Sequence, residues 1–391
     1  MIYRSLILPK VLQYRHVLRS GIVNVLIFSV SIGSGHDQVA HTLRNEFIRQ
    51  NALSRVKIIN TISYISPLLD KVILDSYLNI LRFYPRAWGK LYEKTNQLDP
   101  IIDVNDIANR LITSKFRKTA ESFEPDIIVC THSFPSAIIS SLKHKKRIVS
   151  PLINVITDFN IHSSYINENT DYYIIPHEDL TYIMENFGVS KNKVLPFGIP
   201  IRKEFGEVHV REDLLLKHGF EDKKTILVIG GGLGLGGINN IVKAIDGYME
   251  NVHIIAVAGR NNRLESKLKG LSTKNRLSVY GFVNNMPELM ELSDCVITKP
   301  GGVSTAEILS REKPLVIFSP LPGQEYENAE FLLNSGAAVT TSDVKRIPVL
   351  IDQIFSSDIR MKCYRQLAGL LKKPHSTYDI VHFLESKYDT E

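Results

Sequence analysis

Long apolar runs are the first thing this sequence lacks. No stretch of its 391 residues approaches the ~18–20 apolar residues that a membrane-spanning helix needs, so any membrane contact is expected to be peripheral. Cysteine is scarce: Cys130, Cys295 and Cys363 lie far apart, without metal-ligand spacing, and read as reduced thiols of a cytosolic protein rather than a disulfide framework. There is no Asp-x-Asp placed to hold a metal, and no helix-turn-helix, zinc finger or RNP-like stretch for nucleic acid. Acid is missing from the first twenty residues, which carry Arg4, Lys10, Arg15 and Arg19. Their apolar core is short, interrupted by Pro9 and not followed by a small-residue cleavage site, so they read as an extension or a surface amphipathic helix, not a targeting segment.

What is present is globular: 44% apolar and 8% aromatic residues in a chain long enough for two ordinary domains. The net charge of +6 is unevenly placed. Residues 1–200 hold 23 basic against 17 acidic side chains, while the remainder balances at 24 each. A basic first half suits an anionic membrane surface, where each nearby Lys or Arg is worth about 1 kcal/mol. Nucleic acid is the rival reading, and no motif supports it.

Residues 22–28 form a strand-like run that breaks at Gly33-Ser34-Gly35-His36 before apolar residues recur at helical spacing. This is the first strand, loop and helix of a parallel α/β sheet, with its loop at the carboxyl edge where ligands sit. A Rossmann dinucleotide site is the obvious rival, but the spacing is not G-x-G-x-x-G and no acid ends the second strand, Arg55 to Asn60. A histidine at a helix start can be kept partly neutral by the helix dipole, as a base near pH 7 requires. Further strands end in Thr131-His132 and in Thr157-Asp158-Phe159, toward the same edge. Six strands complete this half. Between them, residues 62–119 show no strand pattern but mix Phe83, Arg86 and the only tryptophan, Trp88, with other aromatic and basic residues. Such a mixture fits an interfacial helix among lipid headgroups, or a helix packed on its own domain.

The second half opens with a strand ending in Gly230-Gly231-Gly232 and a further run of glycines, implying close backbone approach to a phosphate or to a neighbouring loop. Arg260 ends the next strand, and Phe282 and Val283 follow another. The chain is organised around residues 295–330. There a buried strand breaks at Lys299-Pro300-Gly301-Gly302, and a helical pattern begins at Ser304. Two glycines let N–H groups approach a ligand, and a helix start offers unpaired donors to an anion. Glu307, three residues after Ser304, is either the second half of a capping box or an acceptor for a ribose diol. Pro320 to Glu325 then forms a rigid turn that delivers Gln324 and Glu325 side by side, a pair suited to sugar hydroxyls.

TKPGG, the STAE helix start and PGQEYENA resemble the nucleotide-sugar site of the glycosyltransferase family 28 group. That group holds plant-type monogalactosyldiacylglycerol synthases, bacterial processive diacylglycerol glucosyltransferases and, more distantly, the peptidoglycan N-acetylglucosaminyl transferase. The likeness runs from about Val23 to the late 370s. It implies an α/β protein of GT-B architecture, two Rossmann-like domains facing across a cleft. The domains would be an extension 1–21, an acceptor domain 22–198, a UDP-sugar domain 199–375, and a terminal helix 376–391 returning to the first domain.

The resemblance also implies roles. His36 in GSGH, where the plant type usually reads GGGH, would take the acceptor proton, and Asp158 and His162 in TDFNIH would line the acceptor pocket beside Gly35. The UDP-sugar would meet Gly232, Arg260, Phe282, Val283, Lys299, Gly301, Gly302, Ser304, Thr305, Glu307, Gln324 and Glu325, with Asn328 supporting the last two. Phe83, Arg86 and Trp88 would reach the membrane. The expected reaction is inverting transfer of a hexose, glucose before galactose, from UDP-hexose to diacylglycerol or a glycosyldiacylglycerol at the cytoplasmic face of the membrane. No cofactor, metal or nucleic acid is expected. A nicotinamide oxidoreductase and a silent nucleotide-sugar sensor are the alternatives from other classes.

Overall fold

The computed structural model describes residues 23–31, 35–66, 84–96, 107–234 and 236–388. Two six-stranded sheets account for its architecture. The first contains β1 (Asn24–Ser29), β2 (Arg55–Asn60), β3 (Ile127–Cys130), β4 (Leu152–Val155), β5 (Tyr172–Ile174) and β6 (Val194–Leu195), in the order β2-β1-β3-β4-β5-β6. The second contains β7 (Thr225–Ile229), β8 (His253–Val257), β9 (Arg276–Tyr280), β10 (Cys295–Thr298), β11 (Leu315–Phe318) and β12 (Ala338–Thr341), in the order β12-β11-β10-β7-β8-β9. Every pairing is parallel. The continuous apolar runs in the sequence become strands covered on both faces, as parallel sheets require: β1, β3, β4, β7, β8 and β10 are buried along their whole length.

The strand orders fix where ligands can sit. In the first sheet, the order in which strands are added reverses between β1 and β3; in the second, between β7 and β10. At such a switch point the loops leaving the carboxyl ends diverge and open a crevice. The loops after β1 and β3 carry His36 and His132. Those after β7 and β10 carry the glycine run and Lys299 to Gly301.

The halves form one packed body. A single apolar cluster runs from Val25 and Ile27 through Phe159 and Val303 to Leu227 and Ile229. Across the boundary Phe159 stacks on Phe331 with centroids 5.3 Å apart. The chain crosses between halves twice, and the crossings touch: Gly198, at φ +97°, has room for no side chain, because a Cβ would lie 2.4 Å from Lys373 Cβ. Beside them Ser376 Oγ donates to Ile199 O (2.8 Å) and Thr377 Oγ1 to Ile201 O (2.5 Å). The helix Ser376–Tyr388 then lies on the first half, with Phe383 edge-on to Tyr172.

One local expectation changes. The helix after β10 begins at Gly302, two residues before the apolar spacing suggests, because Gly301 is its extended N-cap (φ −72°, ψ 136°).

Candidate active site at the facing switch points

On the first half, Gly35 and His36 open the helix Gly35–Gln50. Its first turn is tied to the sheet through Asp37, which accepts from Ser29 Oγ at 2.6 Å and from Ser31 Oγ; Ser31 is held in turn by Asn60 at the end of β2. The His36 ring is oriented by the next two loops. Its Nδ1 lies 2.7 Å from Thr131 O and 3.1 Å from Thr157 Oγ1. A carbonyl only accepts, so Nδ1 carries a proton, and in the neutral ring the lone pair lies on Nε2. His132 stands edge-on, with centroids 4.8 Å apart and planes at 73°. Its Nδ1 accepts from Phe134 N (3.0 Å), which places its proton on Nε2. Burial, and secondarily the neighbouring His36, push its pKa down to about 3. His36 therefore faces a neutral imidazole, not a second cation.

On the second half, no side chain caps the helix Gly302–Ser310, so its first-turn N–H groups remain available to an anion. Neither glycine before it is required by backbone angle. Nothing lies within 4 Å of a Cβ built at Gly301, whereas one at Gly302 would fall 1.8 Å from Thr157 O of the other half. Gly301 thus borders open space, and Gly302 is taken up by the interdomain contact. Ser304 is half-buried and Thr305 fully buried, its hydroxyl without a hydrogen-bond partner among the described residues. Lys299 Nζ pairs with Glu325 Oε2 at 3.2 Å, and the same oxygen accepts from Leu321 N at 2.7 Å, so the pair pins the Pro320–Gly323 turn beside the TKPGG loop. Burial lowers the Lys299 pKa and raises that of Glu325, the expected directions for two ions taken out of water. Gln324 is half-buried beside it, at the start of the helix Gln324–Asn334.

The glycine run after β7 packs on the neighbouring loop. A Cβ at Gly234 would sit 2.2 Å from Ala258 O, and Gly232 O accepts from Arg260 N at 2.9 Å. The Arg260 guanidinium lies 5.0 Å over the Phe282 ring. Phe282 is 59% exposed, while Val283 is half-buried against the core. Both follow β9 at the carboxyl edge.

Glu307 is not a helix cap. It is buried at 6% exposure, and its Oε1 accepts from Gln38 Nε2 of the first half at 2.6 Å. Burial pushes its pKa up to about 7, against the opposing pull of Arg202 and the Gln38 amide. Glu307 is thus tied to the helix that His36 opens, through Gln38 two residues along from the histidine. Asn328 is corrected as a sugar contact or a support for Gln324 and Glu325, since it is fully buried with both amide protons used. Its Nδ2 donates to Asp158 Oδ1 and to Pro300 O, each at 2.9 Å, and its Oδ1 accepts from Phe159 N at 2.6 Å. It staples the acceptor-side loop to the donor-side loop. Asn328→Leu strands the Phe159 N–H and the Pro300 carbonyl, and each unmet group costs about 1–3 kcal/mol. We expect a loss of roughly 2–5 kcal/mol in denaturant titrations, on the same principle.

His162 is also corrected, from the open pocket to a structural position. It is 6% exposed, its Nδ1 accepts from Ser164 N (3.1 Å), its Nε2 reaches Tyr92 O (3.2 Å), and its ring lies 4.6 Å from that of Tyr92. Tyr92 belongs to the helix Pro85–Asn96, which also carries Arg86, exposed, and Gly89, buried against Pro322. One side of this helix is therefore used on the protein. Phe83 and the Trp88 side chain lie outside the described residues. Gln38, Thr131, Thr157, His132 and Arg202 enter the site without having been singled out for a role. Only their placement at strand ends or beside His36 could have pointed to them.

Two Rossmann-like halves, with a histidine at the ligand edge of one and an uncapped helix start, a buried carboxylate and an arginine on the other, define a GT-B glycosyltransferase, a UDP-sugar-dependent hexosyltransferase. Comparison with known proteins agrees. Residues 36–201 match the family described as monogalactosyldiacylglycerol (MGDG) synthase, and residues 225–358 the glycosyltransferase family 28 C-terminal domain. A processive diacylglycerol beta-glucosyltransferase of Bacillus cereus (strain G9842) is 30% identical over 364 residues, covering 91% of this chain and 92% of that one. The chain belongs to this family of processive diacylglycerol beta-glucosyltransferases. In fold it is similar to MurG of Acinetobacter baumannii (TM-score 0.61, 14% identity, covering 93% of this chain and 99% of that one). It is also similar to HepE of Anabaena in complex with UDP-glucose (TM-score 0.56, 14% identity, covering 93% and 99%).

Proposed function

We propose that the enzyme transfers glucose from UDP-glucose to the hydroxyl of diacylglycerol with inversion, giving a β-glucosyldiacylglycerol that can serve as acceptor again. The observation that carries the reading is the orientation of His36: Nδ1–H is committed to Thr131 O, so in the neutral ring the lone pair that can take a proton lies on Nε2. The acceptor oxygen attacks the anomeric carbon as the bond to the diphosphate breaks. Its proton passes to His36 Nε2, and the resulting imidazolium keeps its Nδ1–H bond to Thr131. Asp158, held on one oxygen by Asn328, offers the other to a substrate hydroxyl. Charge on the departing UDP falls to the helix-start N–H groups near Gly301 and to Arg260, without a metal. Glu307 receives the ribose hydroxyls, Phe282 and Val283 the uracil, and Gln324 with the remaining lone pairs of Glu325 the hexose.

The acceptor enters from the membrane. Arg86, Lys90 and Lys94 are exposed along the helix Pro85–Asn96, with Glu93 the exposed acid among them and Tyr84 exposed just before the helix, a mainly basic surface suited to anionic headgroups at the cytoplasmic surface. Among the described residues no helix is long and apolar enough to cross a membrane. The test is incubation of the purified protein with UDP-glucose, UDP-galactose or UDP-N-acetylglucosamine. Vesicles of diacylglycerol in anionic phospholipid supply the acceptor, and the lipid fraction is read by mass spectrometry and NMR. A β-hexosyl lipid from UDP-glucose is expected, with a ladder of longer products. Free sugar alone, or product only from UDP-galactose, would overturn the acceptor or the donor assignment respectively.

A further inference from the structure

Glu307 belongs to the second half, yet its hydrogen-bond partner comes from the first. Gln38 reaches it across 269 residues of sequence, from the helix that His36 opens. The contact sits in a close interdomain seam: Val303 Cγ2 lies 3.5 Å from the Cβ position of Gly35, and Gly302 abuts Thr157 O. An amide N–H aimed at a buried carboxylate oxygen favours the ionised form and fixes its rotamer, and it leaves the second oxygen to accept from a ligand. We propose that Gln38 is a positioning residue for the nucleotide, an acceptor-side amide that holds Glu307 as an oriented carboxylate and so makes nucleotide binding depend on the docked domains. The inference rests on the reading of Glu307 as the ribose acceptor. It assigns to Gln38 a role in donor binding, although Gln38 lies on the half that presents the base.

The direction of the effect follows from the groups that face Glu307. Burial raises its pKa to about 7; the charged group acting on it is Arg202, which lowers the pKa, and Gln38 lowers it further. Removing the amide leaves burial less opposed, so the pKa rises and the carboxylate fraction at neutral pH falls. A shift of one unit corresponds to about a ten-fold change in that equilibrium. Raising the pH to 9 restores the charge without the amide.

UDP affinity of the full-length protein is measured by calorimetry at pH 6.5, 7.5 and 9.0 for wild type, Gln38→Leu, Gln38→Glu and Glu307→Gln. For a shift of one unit we expect Gln38→Leu to bind UDP about eight-fold more weakly at pH 6.5, about three-fold more weakly at pH 7.5 and within about two-fold of wild type at pH 9.0. Gln38→Glu, which sets a second carboxylate against the first, should need a still higher pH for the same recovery. Glu307→Gln should lose affinity at all three. In the transfer assay the Gln38→Leu defect should fall on KM for the UDP-sugar more than on kcat. A defect in Gln38→Leu that is equal at every pH marks a packing role and overturns the proposal, as does unchanged UDP affinity at all three pH values. If Glu307→Gln binds UDP as wild type does, the ribose reading itself fails and the inference goes with it, an outcome distinct from failure of the Gln38 variants alone.

Discussion

His36→Ala is expected to slow hexose transfer by about three orders of magnitude, within the range a positioned general base supplies, while UDP affinity stays within about two-fold of wild type. The separation follows from where the ring is anchored. Thr131 O, Thr157 Oγ1 and the His132 ring, which hold it, all belong to the first half. The nucleotide is assigned to groups on the second. Truncation to alanine removes the Nε2 lone pair but leaves the helix start, Asp37 and its bonds to Ser29 and Ser31 in place. Single-turnover transfer measured beside UDP calorimetry checks both halves of the expectation. Wild-type transfer by the alanine variant would remove histidine from the proton step. Loss of UDP binding would make it a structural residue of the cleft.

Much of this site was legible in the sequence because its scaffold is local. Buried parallel strands appear as short apolar runs, and a loop at the end of such a run must lie on the ligand edge. His36, Asp158, Arg260 and Lys299 could therefore be placed before any coordinates. What the sequence could not show are the contacts made across the seam. Glu307 looked like half of a capping box, since Ser304 stands three residues before it; only the approach of Gln38 from the other half reveals its partner. Asn328 sits in a motif that suggested support for Gln324 and Glu325, yet its amide joins Asp158, Phe159 and Pro300. The helix with Arg86 and Trp88 read equally as interfacial or packed. Gly89 lies so close to Pro322 that a Cβ there would be 2.7 Å from Pro322 Cβ, which shows one side packed. In each case the deciding neighbour is more than a hundred residues away, and no periodicity records it.

Gly302→Ala is the second large effect, and it acts on the seam itself. The added Cβ would lie 1.8 Å from Thr157 O, 2.8 Å from Thr157 C and 3.1 Å from Asp158 Cα. In a deformable core, overpacking costs about 1–3 kcal/mol because side chains give way. Here the obstacle is backbone at the carboxyl edge of a buried strand, so the halves must part by about 1 Å or more before the contact is tolerable. The bonds that cross the seam do not survive such a shift. Phe159 N to Asn328 Oδ1 and Gln38 Nε2 to Glu307 Oε1 are each 2.6 Å long, and hydrogen bonds fail beyond about 3.5 Å. The expected outcome is transfer below about 1% of wild type, the loss that about 3 kcal/mol at the transition state produces. A larger radius of gyration in small-angle scattering and faster proteolysis near Gly198 should accompany it. Gly301→Ala is the control. Its extended φ of −72° suits any residue and its Cβ meets nothing within 4 Å, so the seam and the scattering profile stay as in wild type. Because that Cβ enters the space assigned to the diphosphate, the variant should lose UDP affinity instead. Equal activity and identical scattering for Gly302→Ala and wild type would mean that the two halves do not meet at Thr157.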